Sequence, residues 1–545
     1  MDALNDNIQG ILDDLTAADP PLATTLGLTA GMERLPSYSP ASVRALLAAL
    51  KARQTALEPL LAQDHDVERA LDAFIGVQMV RRVARDLELR AVHRRRPSLY
   101  ADTIATALLM PMLKDVAPLD DRLTAVEKRL EAIPGFLEEA RANLAPTLPV
   151  VAIESAVEFT GALQDLVTDT VKRFARDSGH EGMFDEVSVA AAHALAGYRD
   201  YLNDALLPAA AGDGAAGRDV LEDILRYEHV LKETPEQIAA AGRQMMEETA
   251  AAMAALAAEM GFGDVQSAVA AVQADHPRAD DLVEAYSRAV DEARHYVVEH
   301  DLVTLPEGEE LKVEATPSFL RPVLPFAAYE APGPYETRQR GFYWVTPPRE
   351  GMSSEKLDEA LKSHPNASLP TVGVHEGYPG HHVQLTRANR APTLARRLAG
   401  LPMGGTLLVE GWAFYCEELM EREGFLSSPE VRLMRLNDQI WRACRVILDM
   451  ELHLGTMSFA EAVDMLERTA HMGRYEAVLE CRRYLEEPGQ AMSYLIGKRE
   501  VVNLARDYAC QRTTSLKAFH DALLEWGSLS PSVIRWGMGL GPRPF

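Results

Sequence analysis

Leu123-Thr-Ala-Val-Glu-Lys-Arg-Leu-Glu-Ala-Ile133 carries the pattern that decides the fold of this 545-residue chain. Its apolar residues recur every three or four positions, the spacing that places them on one face of an α-helix. The stretch Val43–Leu50 repeats the pattern, and 47% of all residues are hydrophobic while only 6% are aromatic. Alanine and leucine supply much of this apolar content, and both favour helices. The sequence therefore predicts a mainly α protein.

The helical pattern changes between residues 305 and 350, a segment that contains eight prolines. Alternating residues in Leu311–Ala315 and the run Gly341–Thr346 predict short strands there. We therefore expect an amino-terminal helical lobe, 1–302, and a carboxyl-terminal lobe, 303–545, in which a small β element precedes further helices. The strand at Gly341–Thr346 is either an edge strand open to an extended peptide or an ordinary packing strand.

The composition excludes several classes of protein. A formal net charge of −26 argues against nucleic acid as a partner, because phosphate binding needs clustered Lys and Arg. The first residues lack the basic and apolar regions of a secretory signal, and no apolar run of about 18 residues occurs. We therefore expect a soluble cytoplasmic protein without a membrane partner. The four cysteines are widely spaced, which favours free thiols over a disulfide framework.

The densest group of metal-binding residue types is His375-Glu-Gly-Tyr-Pro-Gly-His-His382. In an ordinary His-Glu-x-x-His helix, two imidazoles four residues apart share a zinc ion while the glutamate activates water. Here the next histidines follow six and seven residues later, about 9 and 10.5 Å along a straight helix. Pro379 and Gly380 can distort that helix. The smaller distortion favours His381 as the second ligand and leaves His382 in a supporting or substrate-side position.

A catalytic zinc site needs a third protein ligand and an open position. Glu410, 35 residues after His375, lies in a predicted helix that could bring its carboxylate to the same ion. Glu417 lies two turns further on the same face and is predicted to orient one of the histidines. We therefore predict that Zn²⁺ is bound by His375, His381 and Glu410. Glu376 is the predicted general base.

Three residues near the carboxyl terminus are candidates to stabilise negative charge on a carbonyl oxygen, a task for hydroxyl and guanidinium groups. They are Tyr484, Tyr494 and Arg483. Tyrosines at helical spacing can equally be core residues, and Arg483 can instead pair with Glu480 or Glu486.

A further candidate is His453, which follows Asp449 by four residues in a predicted helix. At that spacing the two side chains can hydrogen-bond and fix the imidazole tautomer. His453 is therefore either a residue that lines the site or a structural histidine.

These blocks resemble the bacterial proteins grouped as domain of unknown function 885, whose hallmark is a His-Glu-x-x-Pro-Gly-His core. The resemblance covers nearly the whole chain, although Glu451 departs from a block that usually reads Asp-x-Gly-x-His. It implies a helical fold similar to the gluzincin-like metallopeptidases of the carboxypeptidase Taq and thimet oligopeptidase type, with two lobes around a deep cleft. The matching blocks are Asp19–Gly27, Pro97–Tyr100, His375–His381, Glu410–Tyr415, Arg483–Tyr484, Pro488–Gln490, Tyr494 and Gly497.

The sequence and the resemblance together predict a zinc-dependent hydrolase of peptidase type that acts on small peptides or other small amides. In this view the lobe 303–545 is catalytic and carries the metal-binding helices. The alternatives are a non-catalytic metal- or peptide-binding helical protein, whose site a fourth ligand such as His382 would close, and a hydrolase of another amide or ester bond.

Overall fold

Helices dominate the structure, a computed structural model that describes residues 3–61, 67–317, 321, 327–349, 351–401, 404–512 and 515–544. Three short strands within these ranges form a small sheet. The prediction of a mainly α protein with a small β element is therefore confirmed. The division of the chain at residue 302 into two lobes around a deep cleft stays a prediction.

The helices before the sheet are α1 (Ala3–Ala18), α2 (Pro20–Thr25), α3 (Pro40–Leu61), α4 (Val67–Ala84), α5 (Val92–Arg95), α6 (Ser98–Leu113), α7 (Leu119–Asn143), α8 (Val150–Asp165), α9 (Val171–Asp177), α10 (Asp185–Tyr201), α11 (Arg218–Asp223), α12 (Pro235–Glu259), α13 (Val265–Gln273) and α14 (Leu282–Glu299). Short 3₁₀ turns lie at Leu207–Ala209 and Ala279–Asp281, and π-helical turns lie at Arg85–Leu89, Leu166–Thr170, Leu202–Leu206 and Ile224–Glu228.

The helices after the sheet are α15 (Ser354–Leu361), α16 (Leu369–Val372), α17 (His381–Ala388), α18 (Leu394–Arg397), α19 (Thr406–Arg422), α20 (Pro429–Leu454), α21 (Phe459–Thr469), α22 (Arg474–Glu486), α23 (Ser493–Gln511), α24 (Leu516–Leu524) and α25 (Pro531–Gly537). A further π-helical turn, Gly373–Gly377, follows α16 directly.

Local sequence signals set the ends of the long helix α12. The Thr234 side chain accepts a hydrogen bond from the backbone N–H of Gln237, whose side chain accepts one from the N–H of Thr234. Pro235 occupies the first helical turn, where a missing N–H costs no hydrogen bond. Beyond the helix, Gly261 has a φ of 88°, the left-handed conformation in which glycine ends helices.

Two large apolar clusters hold the helices together. One lies between residues 100 and 206 and is formed by α6 to α10 with their connections. The other joins residues from opposite ends of the chain, among them Ile8, Leu71, Trp412 and Val533. The amino-terminal helices and the last helices therefore share a core. No described helix has the combination of length and apolar character that crossing a membrane requires.

The small sheet consists of β1 (Glu310–Ala315), β2 (Ala327–Glu330) and β3 (Arg340–Val345), in the order β1-β3-β2. The strand β3 pairs in parallel with β1 and antiparallel with β2. The idea that the segment at 341–346 is an edge strand open to a peptide is therefore wrong, because neighbouring strands already occupy both of its edges. The packing alternative holds. Residues 318–320 and 322–326, which the predicted β element included, lie outside the described residues.

Helices α19 and α23 touch backbone to backbone, and two glycines make this possible. A β-carbon on Gly411 would overlap the carbonyl carbon of Gly497, and one on Gly497 would overlap the carbonyl oxygen of Leu407. Even alanine would force these helices apart. The close approach places the side chains of α19 beside those of α23.

Replacing Gly497 with alanine should lower the free energy of unfolding by about 1–3 kcal/mol, the usual cost of overpacking a core. Urea and thermal denaturation would measure the change. Gly135→Ala is the matched control: it lies in α7, where nothing stands within 4 Å of the added β-carbon, and alanine is the better helix former. Equal stability of the two variants would contradict the glycine contact as the structure has it.

Candidate metal centre

The stretch that holds the predicted ligands is a helix interrupted by a turn. His375 and Glu376 lie in the π-helical turn Gly373–Gly377, and the next helix, α17, begins at His381. Between them the Tyr378–Pro379 peptide bond is cis. The predicted break at the proline and glycine is therefore present. Only glycine fits at position 380, because a β-carbon on Gly380 would overlap the carbonyl oxygen of His375.

Two buried side chains fix this turn from different directions. The indole N–H of Trp412 donates to the carbonyl oxygen of Pro379 over 2.8 Å. Glu309 accepts a hydrogen bond from the hydroxyl of Tyr378, at 2.6 Å, and one from Nε2 of His382, at 2.8 Å. Although burial raises the pKa of Glu309, these hydrogen bonds lower it below its usual value. The backbone between the two predicted ligands is thus held by α19 on one side and by a carboxylate on the other.

His375, His381 and Glu410 converge, and each offers one ligand atom within 4.8 Å of the other two. Oε2 of Glu410 lies 3.4 Å from Nε2 of His381 and 3.9 Å from Nε2 of His375. The ligand atoms of a tetrahedral zinc ion are about 3.3–3.4 Å apart, given bonds of about 2.0–2.1 Å. This donor set suits a zinc ion; the distance from Glu410 to His381 matches the tetrahedral spacing, and the distance from Glu410 to His375 is longer, at 3.9 Å.

His382 does not share this position. Its Nδ1 lies 3.1 Å from the hydroxyl of Tyr329, and its Nε2 is engaged by Glu309. Both ring nitrogens therefore have partners other than the cluster. The converging group therefore includes His381 and not His382, and the role of His381 as the second zinc ligand stays a prediction.

The carboxylate of Glu417 orients His375. Nδ1 of His375 donates to Oε1 of Glu417 over 2.7 Å, which leaves Nε2 facing Glu410. Metal-bound histidines commonly donate their second N–H to a carboxylate in this way. Burial by itself lowers the pKa of His375, but the hydrogen bond with Glu417 and the other nearby carboxylates raise it to about 9. The carboxylates around His375 thus favour a positive charge on or beside its imidazole ring.

The side chain of Glu410 is partly buried, and its Oε2, a buried atom, lies near both imidazoles. Its Oε2 has no hydrogen-bond partner in the described part of the chain. Burial raises the pKa of Glu410, but the adjacent imidazole of His381 and the charges of both histidines lower it to about 2. An ionised carboxylate with an unpartnered buried oxygen is costly unless a cation compensates it. A divalent ion held by the same three side chains would do so.

The cluster opens into a cavity of about 400 Å³. Glu376 and Tyr494 lie on its wall beside the three candidate ligands. Burial, and then the negative charge of Glu410, raise the pKa of Tyr494 above its usual value, so the phenol keeps its proton. The structure therefore brings the predicted base and one of the predicted hydroxyl donors to the same cavity as the ligands.

His453 lies elsewhere. Its Nε2 donates to the carbonyl oxygen of Tyr484 at 3.0 Å, and its Nδ1 accepts from the N–H of Ala216 at 3.1 Å. The predicted hydrogen bond between His453 and Asp449 is wrong, because the two side chains are 3.9 Å apart. Asp449 instead accepts a hydrogen bond from the backbone N–H of Gly489 at 2.8 Å. Burial lowers the pKa of His453 to about 4. This neutral histidine joins segments of backbone, and the cavity lining does not include it.

Tyr484 and Arg483 are likewise not among the residues that line the cavity; they lie behind those residues. The hydroxyl of Tyr484 accepts a hydrogen bond from Nε of Arg445 at 3.0 Å. Arg483 pairs with Glu480 at 2.8 Å, one of the two alternatives that its sequence neighbourhood offered. Glu480 in turn contacts Arg445 at 3.0 Å. Both residues therefore support a neighbour on the cavity wall.

Asp438, Arg442 and Arg445, all on α20, line the cavity and were not candidates from the sequence. A signal for them exists, because they follow one another at spacings of four and three residues and so share one helical face. Charged residues in such a stripe, on a helix whose other faces are largely buried, indicate a polar cavity. Tyr329 on β2 also contributes to the wall.

Fold and site define a large helical protein with a buried cluster of two histidines and a glutamate. The chain belongs to the family described as "Bacterial protein of unknown function (DUF885)", whose model matches residues 20–538. A search of the curated proteins found no match.

Two solved structures share the fold over nearly the full length. A protein of unknown function from Shewanella oneidensis, provisionally described as a lipoprotein, is 25% identical with a TM-score of 0.80, covering 99% of this chain and 100% of that one. A protein from Colwellia psychrerythraea with the same provisional description is 16% identical with a TM-score of 0.82, covering 99% of each chain. The second likeness concerns the fold alone.

Replacing His381 with alanine should abolish stoichiometric zinc binding, because it removes one of three converging ligands. His382→Ala should retain one equivalent of zinc, since neither of its ring nitrogens faces the cluster. Elemental analysis of the purified, zinc-incubated proteins, with circular dichroism to verify folding, measures both. Loss of zinc only in the His382 variant would reverse the ligand assignment.

Replacing Glu417 with glutamine should weaken zinc affinity about 10- to 100-fold, the usual effect of losing a carboxylate that orders a metal-bound histidine. Competition against a chromophoric chelator gives the dissociation constant. Glu418→Gln is the matched control on the same helix, because Glu418 pairs with Lys498. Equal affinities of the two variants would remove Glu417 from the site.

Proposed function

We propose that this protein is a zinc-dependent metallopeptidase that cleaves short peptides. The observation that carries the proposal is the convergence of His375, His381 and Glu410 on one wall of a cavity that also contains Glu376. Sets of two histidines and one glutamate hold zinc in catalytic peptidase sites, which agrees with the gluzincin-like resemblance of the sequence.

Each residue has a defined task in this proposal. Zinc in such a site supplies Lewis acidity, which activates water and polarises a carbonyl group. Glu376 accepts a proton from the water whose oxygen bonds to the carbonyl carbon, and passes it to the nitrogen as the C–N bond breaks. The protonated phenol of Tyr494 donates a hydrogen bond to the carbonyl oxygen as negative charge develops there. Glu417 keeps His375 in the orientation that binding requires.

The size of the cavity supports small substrates. A volume of about 400 Å³ lies within the usual range for pockets that bind small molecules, about 300–1,000 Å³. A few residues of an extended chain fit such a space, whereas a folded protein does not. Short peptides are therefore the proposed substrate class, and other small amides follow from the same chemistry.

A closed, non-catalytic metal site is the rival proposal, and the position of His382 argues against it. A fourth protein ligand would have to fill the open position. His382, the nearest further histidine in the sequence, is already hydrogen-bonded to Tyr329 and Glu309. The described residues offer three converging ligand atoms, which supports an open position for water or substrate.

The cellular compartment is a separate proposal. Sequence composition favours the cytoplasm, without nucleic acid or membrane partners, whereas two structural neighbours carry a provisional lipoprotein description. Fractionation of cells that express the full natural gene would decide between cytoplasm and envelope.

Replacing Glu376 with glutamine should lower kcat/KM for quenched short peptides about 10²- to 10⁴-fold, the usual contribution of a general base. Its zinc content should match that of the wild type, because Glu376 is not one of the converging ligands. Full activity of the zinc-loaded variant would exclude Glu376 as the base.

Parallel assays define the substrate and the metal requirement. Chelation should abolish cleavage and zinc should restore it. Casein should remain intact under conditions in which short peptides are hydrolysed, and its rapid degradation would contradict the proposed restriction to short substrates.

A further inference from the structure

Two arginines lie on the wall of the metal-site cavity, and the proposed hydrolysis does not use them. Arg442 and Arg445 project from adjacent turns of α20 into the cavity that contains His375, His381 and Glu410. The other charged groups on this wall are predominantly carboxylates. A pair of guanidinium groups in such a place requires an explanation.

Arg445 is buried and rigidly held. Its side chain is 4% exposed; its Nε donates to the hydroxyl of Tyr484 and one of its amino groups to Glu480. The guanidinium carbon lies 4.1 Å from the ring centre of Trp441 and 4.8 Å from that of Tyr494. These contacts on several sides fix the orientation of the group.

One donor of Arg445 is left over. Its Nη1 is buried and has no hydrogen-bond partner among the residues that the structure describes. Leaving a buried donor unsatisfied costs about 1–3 kcal/mol, and more for a charged group. Glu480 does not neutralise Arg445 completely, because it also pairs with Arg483. The arrangement therefore favours an additional acceptor for this atom, and Arg445 is one of the residues that line the cavity.

Arg442 contributes a second, less constrained guanidinium. Its side chain is 15% exposed, and its contact with Asp438 is long, at 3.4 Å. Its buried Nε likewise lacks a partner within the described ranges. The guanidinium carbon lies 4.3 Å from the ring centre of Trp441 and 5.7 Å from that of Tyr494. The two arginines thus share the same two aromatic neighbours.

Tyr494 connects this pair with the candidate metal ligands. Its ring contacts both guanidinium groups, while its hydroxyl lies close enough to Glu410 to help lower the pKa of that carboxyl group. An anion bound by the arginines would therefore lie about one aromatic ring away from the cluster. Consecutive Cα atoms of a peptide are about 3.8 Å apart, so this distance corresponds to one or two residues of substrate.

We propose that Arg442 and Arg445 bind the carboxyl-terminal carboxylate of the peptide substrate, so that cleavage occurs one or two residues from that end. Guanidinium groups suit this task because their planar donors match the two oxygens of a carboxylate. The inference rests on the proposed function and narrows its substrate class to short peptides with a free carboxyl terminus. Arg483, Tyr484 and Glu480 then act as positioning residues for Arg445.

The test compares a mixture of N-acetylated tetrapeptides that have free carboxyl termini with the same mixture as carboxyl-terminal amides. Zinc-loaded wild-type protein should cleave the free acids with a kcat/KM at least about tenfold higher, as expected for hydrogen bonds to a charged group. Mass spectrometry should place the cleaved bond one or two residues from the carboxyl end. Amides cleaved as fast as acids would overturn the proposal.

Variants assign the preference to these side chains. Arg445→Gln and Arg442→Gln should each reduce the ratio of kcat/KM for the acids to kcat/KM for the amides about tenfold or more. Because Arg442 is less buried than Arg445, Arg442→Gln still tests the proposal if Arg445→Gln fails to fold. Arg482→Gln is the matched control, because Arg482 pairs with Glu154 and Glu158 away from the cavity. A preference that survives both cavity substitutions would also overturn the proposal.

A binding measurement separates this inference from the proposed hydrolysis. Zinc-loaded Glu376→Gln protein is equilibrated with both peptide mixtures, and the retained peptides are quantified after ultrafiltration. Retention of acids over amides, lost in Glu376→Gln/Arg445→Gln, supports the carboxylate site even if the wild type cleaves nothing. If the protein retains both mixtures equally, or retains neither, the carboxylate site is rejected even if hydrolysis is confirmed.

Discussion

The site depends on one constraint: two histidines six residues apart must face the same point. A continuous helix would separate them by about 9 Å, so the helix has to end and begin again between them. Gly380 provides the space for this turn. Trp412 then fixes the turn by a hydrogen bond to the carbonyl oxygen of Pro379. Without this interruption, the carboxylate of Glu410 would lie near only one of the two imidazoles.

Close helix packing supplies the rest of the constellation. The contact of Gly411 with Gly497 lets α19 and α23 approach at backbone distance. Glu410 immediately precedes the first of these glycines, and Tyr494 lies one turn before the second. This backbone contact therefore sets the distance between a candidate ligand and a candidate hydroxyl donor. A change in the packing of α19 against α23 would therefore also move Glu410 relative to Tyr494.

Polar side chains in this interior fall into two sets. Those on the cavity wall, such as Glu376 and Arg445, face the space that a substrate would enter. Others hold these groups in place by hydrogen bonds: Glu417 contacts His375 on the wall itself, and Tyr484 contacts Arg445 from behind it. Buried polar groups need such partners because an unsatisfied donor or acceptor is costly in a low-dielectric interior. The few wall atoms that lack partners are therefore informative about what binds there.

The sequence by itself determined the helical class, the small β element and the interruption of the helix between His375 and His381, because periodicity and helix-breaking residues are local properties of the chain. Tertiary structure decided which polar residues reach the cavity. It brought Arg445 to the wall, left His453 among backbone groups, and gave β3 partners on both edges. These outcomes depend on contacts between helices and strands that lie far apart in sequence, and helical or strand periodicity specifies which face is buried without specifying its partner.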